Sequence, residues 1–347
     1  AALPVAVAPP KAALPVAVAP PKAALPVAVS PNLLPPQKCS WANEDCQHTK
    51  LCCNVECDYT FKNCQKFSCF KKDNFAGGFA GCKAGKPGGW TGPQIGGPIE
   101  PRVVPQAPGN SAIQGTSLFC FSVVMWDAGP AAGWMNSEAE LANNWKRKGQ
   151  HILECDDHMI LDGMNAPRSG WGSTSNIDVF IKYWAQVKAD GRYASHDWIV
   201  KVDTDAVFFP QRLKLHLESL RTPRGAPVFL LNNAYRFNFL GALEVMTRQA
   251  ADLYFQNADR CSVGEGGHSG GEDYYMKVCL IGSGVDVQKD FTLLHDKYAS
   301  QNGCSDGWAA AFHFFKKTSE WNWCHSEAVA AQKAHDEQWN AKHPAVV

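Results

Sequence analysis

The distribution of apolar positions changes character near residue 116. Residues 118–126 read LFCFSVVMW, an unbroken apolar run of the length expected for a strand buried on both faces. Ser137 and Glu140 stand at the spacing of a capping box and predict a helix reaching about Lys148, which Gly149 stops. Residues 151–161 (HILECDDHMIL) predict a second strand with its exit loop. Over residues 175–189, Ile177, Phe180, Ile181, Trp184 and Val187 recur at helical spacing and define one apolar face. Trp198–Val202 predicts a strand ending at Asp203, and Val228–Leu231 another. Glu272–Gly282 (EDYYMKVCLIG) predicts a helix with Tyr275, Met276, Cys279 and Leu280 on its apolar side. Strand and helix alternate, so the expected fold class is α/β with a mostly parallel sheet flanked by helices. Ligands in such sheets sit at the carboxyl ends of strands, where Asp203 falls.

The chain before residue 116 has a different organisation. Residues 1–33 repeat with period 11 (AALPVAVAPPK, AALPVAVAPPK, AALPVAVSPNL). Proline at this density removes helix donors and clashes with the preceding turn, so 1–38 is expected to be an extended, polyproline-like stalk. Residues 39–82 form a cysteine-rich module with an adjacent Cys52-Cys53 pair inside its first six cysteines. That spacing is similar to the inhibitor-cystine-knot pattern. Trp41, Tyr59, Phe61 and Phe67 are either a sugar-stacking face, which makes the module a candidate for polysaccharide binding, or the small core that a stapled mini-domain must bury. The burial reading is preferred. Residues 83–115, rich in Gly and Pro, read as a flexible linker, and 116–347 as the catalytic-size domain.

Composition narrows the class. Formal net charge is zero, with 33 basic and 33 acidic side chains, so nothing in the overall charge points to nucleic acid. Of 14 cysteines, eight lie within 39–82, which indicates disulfides and an oxidising compartment rather than zinc. No run of 18 apolar residues predicts a membrane span. Residue 1 is not Met, so a fragment or a processed form is expected, with room for a signal or an anchor before it.

Three sites carry candidate chemistry. Asp203-Thr204-Asp205 places two carboxylates directly after a buried strand, where they need neutralising. A divalent Mg or Mn ion does this through hard oxygen ligands. A solvated Asx-capped turn is the alternative. Gly270-Gly271-Glu272-Asp273 opens a helix with two carboxylates in its first turn. They suit either a general base or, with Ser269, a structural capping box. His313, between aromatic residues, is either a packed core histidine or a further ligand.

In this order, the strand with D-x-D, the FLGALEVMT segment, the GED-x-Y segment and the late F-H-F resemble the GT-A fold glycosyltransferases. They are most similar to the inverting β1,3-galactosyltransferase and fringe-like group, over about residues 116–325. The resemblance implies a Rossmann-like GT-A sheet and Mn2+ (or Mg2+) held by Asp203, Asp205 and His313 on the diphosphate of a UDP-sugar. It further implies Asp273 as catalytic base and Glu272 in substrate binding. Gly241 would lie in a strand under the sugar, and Asp156 near the nucleotide. Thr204 departs from the acidic triplet usual in that group. The implied reaction transfers a hexose to a glycan or glycoprotein acceptor in the Golgi lumen or outside the cell. Trp171, Trp308, Trp321 and Trp323 are candidates for stacking on the acceptor. A catalytically inactive carbohydrate-binding or cell-wall protein is the alternative. A nucleotidyltransferase is disfavoured, because no basic residue follows Trp126 until Lys146.

Overall fold

The computed structural model describes residues 34–58, 61–130, 132–133, 135–166, 176–265, 267–268, 271–301 and 303–342. The repeats at 1–33, Tyr59, Trp171, Ser269 and Gly270 lie outside the described residues.

The cysteine-rich region forms six short strands. They are β1 (Leu51–Cys52), β2 (Val55–Cys57), β3 (Cys64–Lys66), β4 (Ser68–Lys71), β5 (Ala80–Lys83) and β6 (Gln94–Pro98). Four of them build a sheet in the order β1-β6-β4-β5, and β2-β3 form a separate ribbon. Disulfides link Cys39–Cys53, Cys46–Cys69, Cys52–Cys82 and Cys57–Cys64. The first six cysteines therefore do not close on themselves, because Cys46 and Cys52 reach out to Cys69 and Cys82. The last two cysteines belong to the framework, and the strand β6 completes its sheet.

That strand also corrects the linker reading of 83–115. Its remainder is tied to the larger unit: Arg102 pairs with Asp286 at 2.8 Å, Val104 donates to the Val287 carbonyl, and Ile113 bridges Pro223. The aromatic residues 41, 61 and 67 follow the burial reading. Phe67 is fully buried. Trp41 packs so closely on Gly282 that a Cβ there would meet the indole at 2.5 Å. Phe61 packs on Phe237 and Tyr274, with ring centroids 4.8 and 5.0 Å away.

Among the described residues the larger unit contains nine strands: β7 (Leu118–Val124), β8 (Asp157–Asp162), β9 (Trp198–Val202), β10 (Val207–Phe208), β11 (Val228–Leu231), β12 (Leu243–Thr247), β13 (Asp286–Lys289), β14 (Leu294–Asp296) and β15 (Ala311–His313). Its helices are α1 (Glu138–Lys148), α2 (Ile177–Asp190), α3 (Pro210–Leu220), α4 (Arg248–Asn257), α5 (Glu272–Gly282) and α6 (Thr318–Lys342). The main sheet has the order β13-β11-β12-β9-β7-β8. β7, β8 and β9 run parallel, whereas β12 runs antiparallel to both β9 and β11, so the sheet is mixed.

Alternation along the strands divides the core. Trp198, Val200 and Val202 face a cluster with Trp145, Leu213 and Trp321 from α1, α3 and α6. Ile199 faces the other way, with Trp184, Tyr254 and Tyr275 from α2, α4 and α5. Both faces are covered, which explains the continuous apolar runs. Helix α1 begins on the expected capping box and ends on Gly149 at φ 64°. The segment 151–161 is a strand only in its second half, because His151–Glu154 forms a 3-10 turn first.

A second sheet of three strands, β10-β15-β14, packs beside the carboxyl end of β9. Three further disulfides, Cys120–Cys155, Cys261–Cys279 and Cys304–Cys324, leave no free thiol. Seven disulfides point to an oxidising secretory or extracellular environment. Among the described residues, no helix is long and apolar enough to cross a membrane.

Candidate functional site

The chain leaves β9 at Asp203 and turns at once into β10. Asp203 N donates to the Ala242 carbonyl, and Ala206 N donates back to the Asp203 carbonyl. Between them the Thr204 hydroxyl points inward and donates to the Val123 carbonyl at 2.6 Å. Thr204 is thus a structural peg between two strand ends. The turn aims both flanking carboxylates into one cavity of about 480 Å³ at the carboxyl ends of β7 and β9.

His313 enters from the second sheet. β15 pairs antiparallel with β10, which brings the imidazole to the D-x-D turn, and parallel with β14, which sets it opposite Asp296. Its Nδ1 lies 2.6 Å from Asp296 Oδ2. Its Nε2 lies 3.9 Å from Asp203 Oδ2 and 3.7 Å from Asp205 Oδ1. Each aspartate offers its other oxygen to a lysine: Asp203 Oδ1 is 2.7 Å from Lys201, and Asp205 Oδ2 contacts Lys316. One oxygen per carboxylate and one imidazole nitrogen therefore converge, all within 4.8 Å of one another. An oxygen-rich set with one imidazole, its far nitrogen held by a buried carboxylate, fits a divalent cation such as Mn2+ or Mg2+. Asp203, Asp205 and His313 would hold it, and its chemistry there would be the neutralisation of negative charge.

The acidic pair at the start of α5 lines the same cavity. The helix is capped by Gly271 with no side-chain hydrogen bond at the cap. They are placed in unlike surroundings. Glu272 accepts from Lys201 at 3.0 Å and from Asn176 at 2.9 Å. Burial pushes its carboxyl up, but the Lys201 ammonium and these hydrogen bonds outweigh burial and hold it below the usual range. Among the described residues Asp273 accepts from backbone donors, Tyr274 N at 2.8 Å among them. Burial first, and then the Glu272 charge, raise it to about 7. A carboxyl poised near neutrality, beside one that stays ionised, suits proton abstraction.

Gly241 lies in a turn before β12, not in a strand as expected. A Cβ at this position would meet Glu272 Oε1 at 2.5 Å and Asp273 Cβ at 3.2 Å, so the glycine lets the turn press against the acidic pair. Its carbonyl accepts from Lys201 at 2.7 Å. Asp156 is not brought to the cavity. It precedes β8 at the opposite end of the sheet, where it accepts from Leu118 N at 2.7 Å and pairs with Lys214 at 2.8 Å. The described tryptophan candidates are also elsewhere. Trp321 is fully buried and donates to the Ala206 carbonyl at 2.7 Å, Trp308 packs on His216, and Trp323 is exposed outside the cavity. The rings that do line the cavity are Phe180, Tyr183 and Tyr298.

Sequence reasoning missed Lys201, Asp296, Lys316 and Glu138. Lys201 carried one signal, a lone cation in the otherwise apolar strand WIVKV. It is fully buried, and three carboxylates, those of Asp203, Glu244 and Glu272, surround it within 4.0 Å. Glu244 sits opposite it on β12, and burial holds its carboxyl well above the usual range. Glu138 lines the cavity beyond Asp205 and accepts from Met125 N at 2.9 Å.

No known protein family matches the chain, and no curated protein matches it by sequence. Among solved structures it is similar to a crystal structure of a glycosyltransferase involved in the glycosylation of the major capsid of PBCV-1. The identity is 10%, the overlap covers 60% of this chain and 98% of that one, and the TM-score is 0.37. A likeness at that level carries no argument about this chain's chemistry.

Proposed function

We propose that this protein is a metal-dependent glycosyltransferase that moves a hexose from a UDP-sugar to a glycan or glycoprotein acceptor with inversion. One observation carries the reading: Asp203, Asp205 and His313 converge in a cavity that Glu272 and Asp273 also line. A diphosphate leaving group needs neutralising charge, and an acceptor hydroxyl needs a base, and the two sets of groups share one cavity.

In this reading Asp203, Asp205 and His313 hold Mn2+ or Mg2+, which supplies the charge that stabilises the departing UDP. Lys316, at the cavity wall, contacts the same diphosphate. Glu272 stays ionised on Lys201 and binds sugar hydroxyls. Asp273 takes the proton from the acceptor hydroxyl as the oxygen attacks the anomeric carbon, and the bond from that carbon to the UDP oxygen breaks on the opposite face. Inversion follows from one displacement. The seven disulfides suit work in the Golgi lumen or outside the cell.

A donor screen tests the proposal: UDP-sugars are incubated with the full chain and Mn2+, and release of UDP is measured with and without chelator. Metal-dependent release from at least one donor is expected. Absence of UDP binding with Mn2+ present would overturn it.

A further inference from the structure

Of the aromatic residues that sequence singled out in the cysteine-rich region, Trp41, Phe61 and Phe67 are buried or docked, but another set is not. Phe75 is 77% exposed and Phe79 41%. Phe79 stands edge to face with Trp90, their centroids 6.0 Å apart. Both rings rest on the backbone of Gly81 in β5, where a Cβ would meet Phe79 at 3.0 Å and Trp90 at 3.2 Å. The support is rigid, because the neighbouring Cys82 is bonded to Cys52 and Cys69, its partner across β4–β5, to Cys46.

Lysines are frequent in the segments that carry these rings. Lys72 is hydrogen-bonded through its backbone to both ring-bearing segments: its N donates to the Phe79 carbonyl, and Thr91 N donates to its carbonyl. Lys71 Nζ reaches the Phe75 carbonyl at 3.2 Å, and Lys86 Nζ reaches the Thr91 carbonyl at 3.4 Å. Between residues 71 and 92 there are four lysines, of which Lys83 pairs with Glu265 at 3.6 Å, and one acid, Asp73, whose Oδ1 accepts from the Phe75 amide.

We propose that this face is a docking surface for an acidic polysaccharide. The pyranose C–H faces would lie on Trp90, Phe79 and Phe75, and the carboxylates or sulfates would meet Lys71, Lys72 and Lys86. The composition of the face favours this occupant over a bilayer. Residues 71–92 contain no Leu, Ile, Val or Met, so a bilayer would be entered by the aromatic rings alone.

The test is affinity electrophoresis of the full chain in gels containing polygalacturonate, with dextran as the neutral control. Binding to phosphatidylcholine–phosphatidylserine vesicles and to a mixed-sequence RNA is measured beside it. Retardation by polygalacturonate alone is expected, weakened about tenfold in the Phe79→Ala, Trp90→Ala double variant. The Lys72→Gln, Lys86→Gln variant should lose the salt-sensitive part of the binding. Trp90→Phe with Phe79→Tyr should restore retention, which separates ring loss from misfolding of the hairpin. Undiminished retention of the Ala variant, equal retention by dextran, or tighter binding to vesicles or RNA would overturn the proposal. The outcome is independent of the cavity: a chain that fails every donor assay yet binds polygalacturonate loses the transferase reading and keeps this one.

Discussion

Asp296 and His313 are register partners across the parallel pair β14–β15, and Asp296 Oδ2 lies 2.6 Å from His313 Nδ1. The contact fixes the ring so that Nε2 points at Asp203 and Asp205. Asp296→Asn replaces an obligate acceptor with a group that also donates, which frees the ring to change tautomer. Calorimetric titration with Mn2+ is expected to show affinity reduced by roughly 10–100-fold. Unchanged affinity would remove His313 from the ligand set.

Lys316 holds the Asp205 oxygen turned away from His313. Its ammonium therefore competes with a cation at Asp205 and, in the proposed reading, attracts a diphosphate. Lys316→Gln is expected to act with opposite signs, tightening Mn2+ binding without nucleotide and weakening UDP binding at saturating Mn2+. Each change should be about tenfold, the scale of one charge-assisted contact. Loss of both affinities together would contradict the competition.

The proposed base makes a kinetic prediction. Asp273→Asn should lower kcat by at least about 100-fold while Mn2+ and UDP binding persist. In the wild type only the ionised carboxylate abstracts a proton, so kcat/KM should rise with pH through a limb near 7. A pH-independent rate from 5 to 8 would argue against the assignment.

The same residue sets a stability trend. Its folded value of about 7 exceeds the ordinary 3.8, so its contribution to stability is full below pH 3.8 and is lost as pH rises through about 7. Asp273→Asn, neutral throughout, should melt higher than wild type at pH 8 and show no such gain at pH 4. Each kcal/mol recovered corresponds to about 2–4 °C in Tm. Scanning calorimetry of the metal-free protein reads this directly.

Lys201 neutralises Asp203 and Glu272 from a fully buried position. Lys201→Met fills the space but strands these carboxylates. Urea unfolding at pH 7 should show a loss of about 3–5 kcal/mol. The loss should shrink at pH 5, where the unpaired carboxyls protonate. An unaltered midpoint at pH 7 would show that the lysine carries no stabilising charge.

Much of the scaffold was legible because its signals are local. The Ser137–Glu140 box, the Gly149 stop, the strands Trp198–Val202 and Val228–Leu231 and the helix Glu272–Gly282 each follow from a few adjacent residues. Errors arose where distant pairing decides. β12 runs against its neighbours in the sheet, because strand direction depends on the connection and leaves no mark in an apolar run. The linker reading of 83–115 failed because β6 gains its hydrogen bonds from β1 and β4.

For the site, sequence by itself determined the residue types: two aspartates after a buried strand, an acidic pair opening a helix and a late histidine between aromatics. Tertiary structure decided which of them meet. The β10-β15-β14 sheet carries His313 across more than a hundred residues of chain to Asp205 and supplies Asp296, which no local pattern marks. It also leaves Asp156 at the far end of the sheet. The division has a physical reason. Propensity and capping act over a few residues, whereas a charged cavity is assembled by strand register and by burial, which raise one carboxyl and give its neighbour a lysine.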